Sequence, residues 1–534
     1  MSKQTRALIS IRYAFFGHVI GGEACASYSG GNALTTATTT VRVVRAWGGS
    51  MWISSLRVEL AQIIVEGEAL IPRVQQCKIV LAPVRRVPPE LLCEIFQLAV
   101  SREAKAPWRL GHVCRSWREA ALGCRPLWSL LKVSHGFDFP PVPRAMLALE
   151  TQILRTGNGL LDIDFQWGLG VQDALQNGCW DLFLPLSHRW RTLRIHCHYS
   201  MYAKALLQRL KVVKNHLPQL ERVEFLVSVT WSADPDMHEH WDIFSTAPRL
   251  REICLTDRLL SNPSLTLVVP PQVTRYRGVL SDARQLDILQ GSPELVECSL
   301  GVRPGDSFMG QGDRMAHSPL LRRLHMKRCE ILAHVIAPAL LDLVVYKATP
   351  SLSRFLLRSS CQLTSLVITD GDYFADNLTP AVELCSGLER LVLAISPSTN
   401  STILGSNLSS LFNALCVSTS THICPTLTTF TFGWPVRPGG GTQLKLPWTE
   451  SLFRMLHSRC ITKSNTGNTD NRQPFRSVRL FNAYYGDGMW QDGDTVGALP
   501  PGMHEGILQL EDEGMDIKYL TAAEGRALMD GLAW

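Results

Sequence analysis

The 534-residue sequence lacks the usual signatures of catalysis. It holds no GxGxxG after a strand-like run, no P-loop, no G-x-S-x-G and no HExxH, so dinucleotide, nucleotide, acyl-transfer and zincin chemistry have no motif to stand on. Charged residues are scarce at 19%, against 46% hydrophobic residues, which excludes a disordered polyelectrolyte. Fifteen cysteines are present, but they are odd in number and lack a spaced framework. That pattern reads as reduced thiols of an intracellular protein and not as a disulfide scaffold. Acidic residues are almost missing from the first fifty-eight positions, where Glu23 alone faces Lys3, Arg6, Arg12, Arg42, Arg45 and Arg57.

That N-terminal stretch also lacks a convincing leader. Ala14–Gly22 is a short apolar run and Ala24-Cys25-Ala26 loosely resembles a cleavage site. Arg12 and His18 interrupt the run, and it is too short to span a membrane. The shortage of acids admits a transit-peptide reading as well. Residues 1–50 are read as a poorly ordered segment, with a flexible Gly/Ser/Thr tract at Ser27–Thr40. Between Leu56 and Leu81, residues Leu56, Leu60, Ile63, Gly67, Leu70, Val74, Cys77 and Leu81 follow a heptad register. Gly67 leaves a gap in the seam and Pro72 breaks it, which predicts two short helices packing on the module that follows. A coiled-coil dimer is the alternative.

What the chain does contain is concentrated in Val84–Val133. Pro88 and Pro89 stand where a helix can start, and Glu90 and Glu94 favour the positive end of its dipole. Leu91, Ile95 and Leu98 form one row, and Leu92, Phe96 and Ala99 form a second row beside it. A second helical pattern runs from about Trp108 to Leu122, with Leu110, Val113, Cys114, Trp117 and Ala121 on one face, and Pro126, Leu127 and Trp128 follow. Such a short module carries more large apolar groups than its own interior can cover. Either the rest of the chain or another protein must cover the remainder. Across 83–134 nine basic residues face four acidic ones.

The order P-P-E-L-L-x-E-I-F, then V-C-R-x-W-R-x-A-A, then P-L-W-S, resembles the F-box, in the form abundant among fungal F-box-like proteins. The resemblance covers about fifty residues. It implies a three-helix module docking on the Skp-type adaptor of a cullin–RING ubiquitin ligase. The contacts expected from it are Pro88, Pro89, Leu91, Leu92, Ile95, Phe96, Val113, Cys114, Trp117, Leu127 and Trp128. Two departures stand out: Val87 replaces the usual leucine, and the linker Ser101–Pro107 is short and charged. Basic charge on the module would suit an acidic adaptor surface and speed association.

Beyond the module a repeat appears. Pro-x-[Leu/Val]-x-x-Φ-x-Φ, with Φ apolar, recurs at Pro218, Pro248, Pro271, Pro293, Pro319, Pro338 and Pro425. Related copies start at Trp190, Leu363 and Leu388, with a looser one at Phe475. Apolar residues at i and i+2 share one face of a short strand, and the proline upstream marks the strand entrance. The Pro271 copy is degenerate, with Gly278 in its last position. The spacing resembles an irregular leucine-rich-repeat array, although only Leu321–Cys329 matches the full L-x-x-L-x-L-x-x-N/C pattern. A sheet-containing domain that is not a solenoid is the alternative.

Two dense groups of ligand-type residues remain, His196-Cys197-His198 and Asp234-Pro235-Asp236-Met237-His238-Glu239-His240. Neither has a spaced partner motif, and neighbours on a strand diverge, so both are read as surface composition. Asp487, Asp492 and Asp494 lack EF-hand spacing. The basic group Arg322, Arg323, Lys327 and Arg328 is too small for a nucleic-acid footprint.

These observations predict an α+β multidomain protein: a small all-α F-box-like module followed by an α/β leucine-rich-repeat-like solenoid. The expected segments are 1–50 poorly ordered, 53–82 helical and packed on the module, 83–134 F-box-like, 140–496 repeats, and 497–534 a terminal cap or tail. The implied role is a non-catalytic substrate receptor of an SCF-type ligase, cytoplasmic or nuclear, its repeats holding a target protein on a concave surface. No cofactor, metal, nucleic acid or membrane is expected. The alternative is a repeat-based interaction scaffold independent of any ligase.

Overall fold

The computed structural model describes Val58, residues 61–72, and residues 87–534 apart from 101–105, 134–141, 168–172, 200–205, 230–238, 256–264, 280–281, 302–313, 328, 347–348, 370–377, 396–400, 418–422, 436–447, 461–474, 484, 487–488, 491–502, 522–523, 526 and 529–534. The chain divides into two compact units. The first takes residues up to Ser129 together with Arg155–Gly157, and the second takes the rest. Among the described residues no helix is long and apolar enough to cross a membrane.

The first unit contains α1 (Pro89–Val100), α2 (Ala106–Leu110) and α3 (Arg115–Gly123), closed by a 3-10 turn at Arg125–Trp128. Residues 61–72, inside the heptad row, are helical as expected. Every one of their side chains is exposed, Ile63 and Leu70 included. The expected packing of this segment on the module is therefore absent from residues 61–72. The remaining heptad positions Leu56, Leu60, Val74, Cys77 and Leu81 lie outside the described residues.

The second unit is α+β and solenoid-like, built on one parallel sheet of 14 strands taken in sequence order. They are β1 (Leu130–Val133), β2 (Leu161–Trp167), β3 (Trp190–Tyr199), β4 (Arg222–Val229), β5 (Glu252–Leu255), β6 (Arg275–Val279) and β7 (Glu297–Gly301). Then come β8 (Arg323–Met326), β9 (Asp342–Val345), β10 (Ser365–Ile368), β11 (Arg390–Ala394), β12 (Thr429–Pro435), β13 (Ser477–Ala483) and β14 (Ile517–Leu520). Each repeat copy read in the sequence coincides with one strand. The sheet also extends past the expected limits. β1 lies within the stretch assigned to the F-box-like module, and β14 lies within the segment assigned to a terminal cap.

The i and i+2 apolar pairs point inward as their spacing requires. Val223 with Phe225, Leu324 with Met326 and Leu391 with Leu393 are all buried. Helices α4 (Val142–Thr156), α5 (Asp173–Phe183), α6 (Asp282–Gly291), α7 (Pro350–Ser359), α8 (Leu378–Glu383), α9 (Ser401–Leu415), α10 (Thr449–Ser458) and α11 (Met503–Asp512) alternate with the strands. Trp180 of α5, Leu289 of α6, Phe355 of α7, Phe412 of α9 and Leu510 of α11 share one continuous core with the inward strand residues. The helices thus cover one face of the sheet.

The repeat prolines have a more specific job than marking a strand entrance. The carbonyl before each proline accepts the amide two residues after it. Ala247 accepts from Leu250 at 3.2 Å, Ser292 from Leu295 at 3.1 Å, Ala337 from Leu340 at 3.3 Å and Cys424 from Leu427 at 3.2 Å. Proline therefore fills the second position of a tight turn, where its fixed φ is favourable. The residue before it is buried and usually small, as with Ala247, Ser292, Ser318, Ala337 and Cys424. Cysteine here acts as a small apolar filler. Burial pushes the Cys424 thiol up to about 12, so it is unreactive. No described cysteine is in a disulfide.

Gly278 is not a degenerate position. A Cβ there would meet the hydroxyl of Tyr276 at 2.5 Å, so the glycine makes room for that ring under the sheet.

Candidate docking surface

The first unit builds one small core, and helical spacing decides which side chains enter it. The Pro88 carbonyl accepts the Leu92 amide at 3.0 Å, and Pro89 takes the first helical position, where no amide hydrogen is needed. Leu92 and Phe96 then fall on one buried stripe, with the Phe96 ring 4.9 Å from that of Trp117. Trp117, Ala120, Ala121, Cys124, Leu127 and Trp128 complete the core, and Val87 packs at its margin. The Trp128 indole N–H donates to the Ala121 carbonyl at 2.8 Å. The Arg155 guanidinium lies over the rings of both Trp108 and Trp128, at 4.4 and 4.3 Å. Burial, with Cys124 beside it, pushes the Cys93 thiol up to about 11.

The eleven residues expected to meet an adaptor divide accordingly. Leu92, Phe96, Trp117, Leu127 and Trp128 are interior, so they hold the helices together and offer no contact surface. The reason is size: a module this small must spend its largest groups on its own core. Cys114 is half-buried. Pro88, Pro89, Leu91, Ile95 and Val113 face solvent. Leu91 is 49% exposed, Ile95 36% and Val113 51%. Covering side chains of this kind with a partner is worth about 1 kcal/mol each. Among the basic residues, Arg115 pairs with Glu119 at 2.9 Å and Arg118 donates to the Gly111 carbonyl at 2.8 Å.

The second unit presents a different surface on the sheet face opposite its helices. The first residue of successive strands alternates in sign. Arg222 of β4, Glu252 of β5, Arg275 of β6, Glu297 of β7, Arg323 of β8 and Asp342 of β9 stand in register. Arg222 reaches Glu252 at 3.3 Å, Arg275 reaches Glu297 at 3.1 Å, and Arg323 bridges Glu297 at 3.2 Å and Asp342 at 3.1 Å. Two residues further along the strands, Lys132 pairs with Asp164 and Arg194 with Glu224. Each such half-exposed pair adds at most about 1 kcal/mol, so the ladder tunes the surface more than it holds the fold.

Sequence reasoning missed this ladder, although its signal was present. Each member stands four residues after a repeat proline, and its sign alternates from copy to copy from Pro218 to Pro338. Reading it requires the register, which pairs residues 19 to 30 positions apart.

Among the described residues no three ligand-type side chains converge. His196 lies on the ladder face, where Asp164 and Glu224 act on it, whereas Cys197 is buried in the core on the other face. Asp234, Asp236, His238, Asp487, Asp492, Asp494 and Arg328 lie outside the described residues.

Compared with known proteins, the chain matches no family model and no curated sequence.

Proposed function

We propose that this protein is a substrate-receptor subunit of a cullin–RING ubiquitin ligase, with an F-box-like first unit docking on a Skp-type adaptor and a leucine-rich-repeat-like second unit holding a target protein. One observation carries the reading. The stretch resembling an F-box folds as three helices around its own aromatic core, and Leu91, Ile95 and Val113 are left apolar and exposed. An apolar row beside a filled core is what a partner-binding helix requires. Val87, where the family has leucine, still packs against that core. In this role the chain performs no bond chemistry. It raises the local concentration of the target beside the transferring subunits.

Co-expression of the full chain with a Skp-type adaptor tests the reading. Wild type should co-purify with the adaptor, and the Leu91→Asp, Ile95→Asp double variant should not. A wild-type protein that fails to bind, or a double variant that binds equally well, overturns it. The proposed compartment is the cytoplasm or nucleus, where that adaptor acts.

A further inference from the structure

The ladder face changes character along the sheet. The register row that holds Arg194 and Glu224 continues through Cys254 and Arg277, and further on it becomes Val344, Val367, Val392 and Thr431 on β9–β12. Cys254 and Arg277 are not buried. Val344, Val367 and Val392 are only 5%, 0% and 1% exposed, and Thr431 is 3% exposed. The three valines belong to a cluster of their own, apart from the core shared with the helices. Valines on a bare sheet face keep part of their surface in water, so this row has a cover besides its strand neighbours.

The chain that follows the last strand returns over this same face. Leu520 of β14 stands in register with Phe481 of β13, and both pack in the valine cluster. The next residue opens a helical turn through a capping box. The Thr521 amide and hydroxyl both donate to the Glu524 carboxylate, at 2.8 and 3.0 Å, and the Glu524 amide donates to the Thr521 hydroxyl at 3.2 Å. The Gly525 amide donates to the Thr521 carbonyl at 2.9 Å. That turn sets Gly525 so close to the Phe481 ring that a Cβ would stand 2.5 Å from it, and Gly525 is buried there. The segment is thus anchored one strand back from β14, on the way to the valines.

Length and composition suit the remaining distance. Four strand spacings separate β13 from β9, about 19 Å. The nine residues after Gly525 span up to about 30 Å when extended. They include Leu528, Met529, Leu532 and Trp534, with Arg526 and Asp530 their only charged side chains. Such a segment matches an apolar row and not the charged rows of β4–β8.

We infer that Thr521–Trp534 is an intramolecular strap that crosses the ladder face and closes its apolar half, from Phe481 back to Val344, to any partner. The strap is an autoinhibitory contact: a partner reaches the valine row only once the strap has left it. This rests on the receptor reading only for what the strap would withhold, a target protein. The contact itself needs no adaptor.

The test uses the full chain. Benzoylphenylalanine in place of Leu532 should, on irradiation, crosslink to peptides of the same chain that carry Val344, Val367 or Val392, identified by mass spectrometry after digestion. A second arm adds a fluorescein-labelled peptide of Thr521–Trp534. A tethered segment acts at about millimolar effective concentration, so wild type should resist the added peptide. Gly525→Val drives the strap off Phe481, and that variant should bind the peptide at least about tenfold tighter than wild type. A peptide carrying Leu532→Asp and Trp534→Asp should lose this binding. Crosslinks confined to other parts of the chain, or equal peptide binding by wild type and Gly525→Val, overturn the inference. Crosslinks that join two chains assign the face to a second copy and overturn it as well. Neither arm contains an adaptor, so the receptor reading stands or falls separately.

Discussion

Leu91 and Leu92 are neighbours in sequence and opposites in environment: the first is 49% exposed, the second 2%. One helical step of about 100° separates a side chain facing solvent from one buried in the same core as Trp117 and Trp128. Substitutions at the two positions therefore measure different things. Leu92→Ala should lower the stability of the first unit by about 2–4 kcal/mol, as cavity formation does. Leu91→Ala should change it by less than about 0.5 kcal/mol. Urea unfolding followed by tryptophan fluorescence separates them. Equal losses would place both side chains in the core.

The Tyr276 hydroxyl is buried and has no hydrogen-bond partner among the described residues. Tyr276→Phe should therefore be neutral or slightly stabilising. Gly278→Ala should cost about 1–3 kcal/mol through overpacking against that hydroxyl. Combining the two should recover part of the loss, because removing the hydroxyl relieves the closest contact. Additive behaviour in thermal unfolding would show that the two sites are independent.

His325 titrates at about 4, below its ordinary 6.5, because burial and the nearby Lys327 and Arg277 disfavour the imidazolium. As pH falls below 6.5 the unfolded chain takes up this proton first. Stability is therefore lost progressively between pH 6.5 and 4, by up to about 3 kcal/mol, and the slope ends once the folded form also protonates. Above pH 6.5 the group contributes no pH dependence. His325→Gln should flatten this part of the stability–pH curve, which chemical denaturation across that range measures. An unchanged slope would assign the acid sensitivity to other groups.

The Phe481 ring is packed between Gly433 of β12 and Gly525 near the C-terminus, each approaching the ring where a Cβ would collide. Phe481 belongs to a small apolar cluster with Val344, Val367, Val392 and Ala394 on the ladder face of the sheet. Phe481→Ala should loosen the Gly525 segment and cost about 3 kcal/mol or more. Limited proteolysis with mass mapping should show faster cleavage after residue 520 in the variant. An unaltered pattern would mean that Gly525 is held by other contacts.

Much of this architecture was legible in one dimension. The i, i+2 apolar pairs placed the strands, because alternation along a strand is a local property and needs no partner to be read. The prolines placed the turns before those strands for the same reason. In the first unit, the spacing of Leu91, Ile95 and Leu98 against Leu92, Phe96 and Ala99 already separated two helical rows.

Tertiary structure alone decided which row became interior. A small core has room for one stripe, and the aromatic groups of Trp117 and Trp128 select the stripe they can reach. It also decided that residues 61–72 keep their apolar side chains exposed, although their heptad spacing equally suited a packed helix. The sheet limits at β1 and β14 were decided the same way, since a strand is defined by its neighbour's free edge. The ladder arises only when residues far apart in sequence are brought about 5 Å apart by parallel pairing. Periodicity along a chain belongs to the sequence, but register across a sheet exists only once the chain has folded.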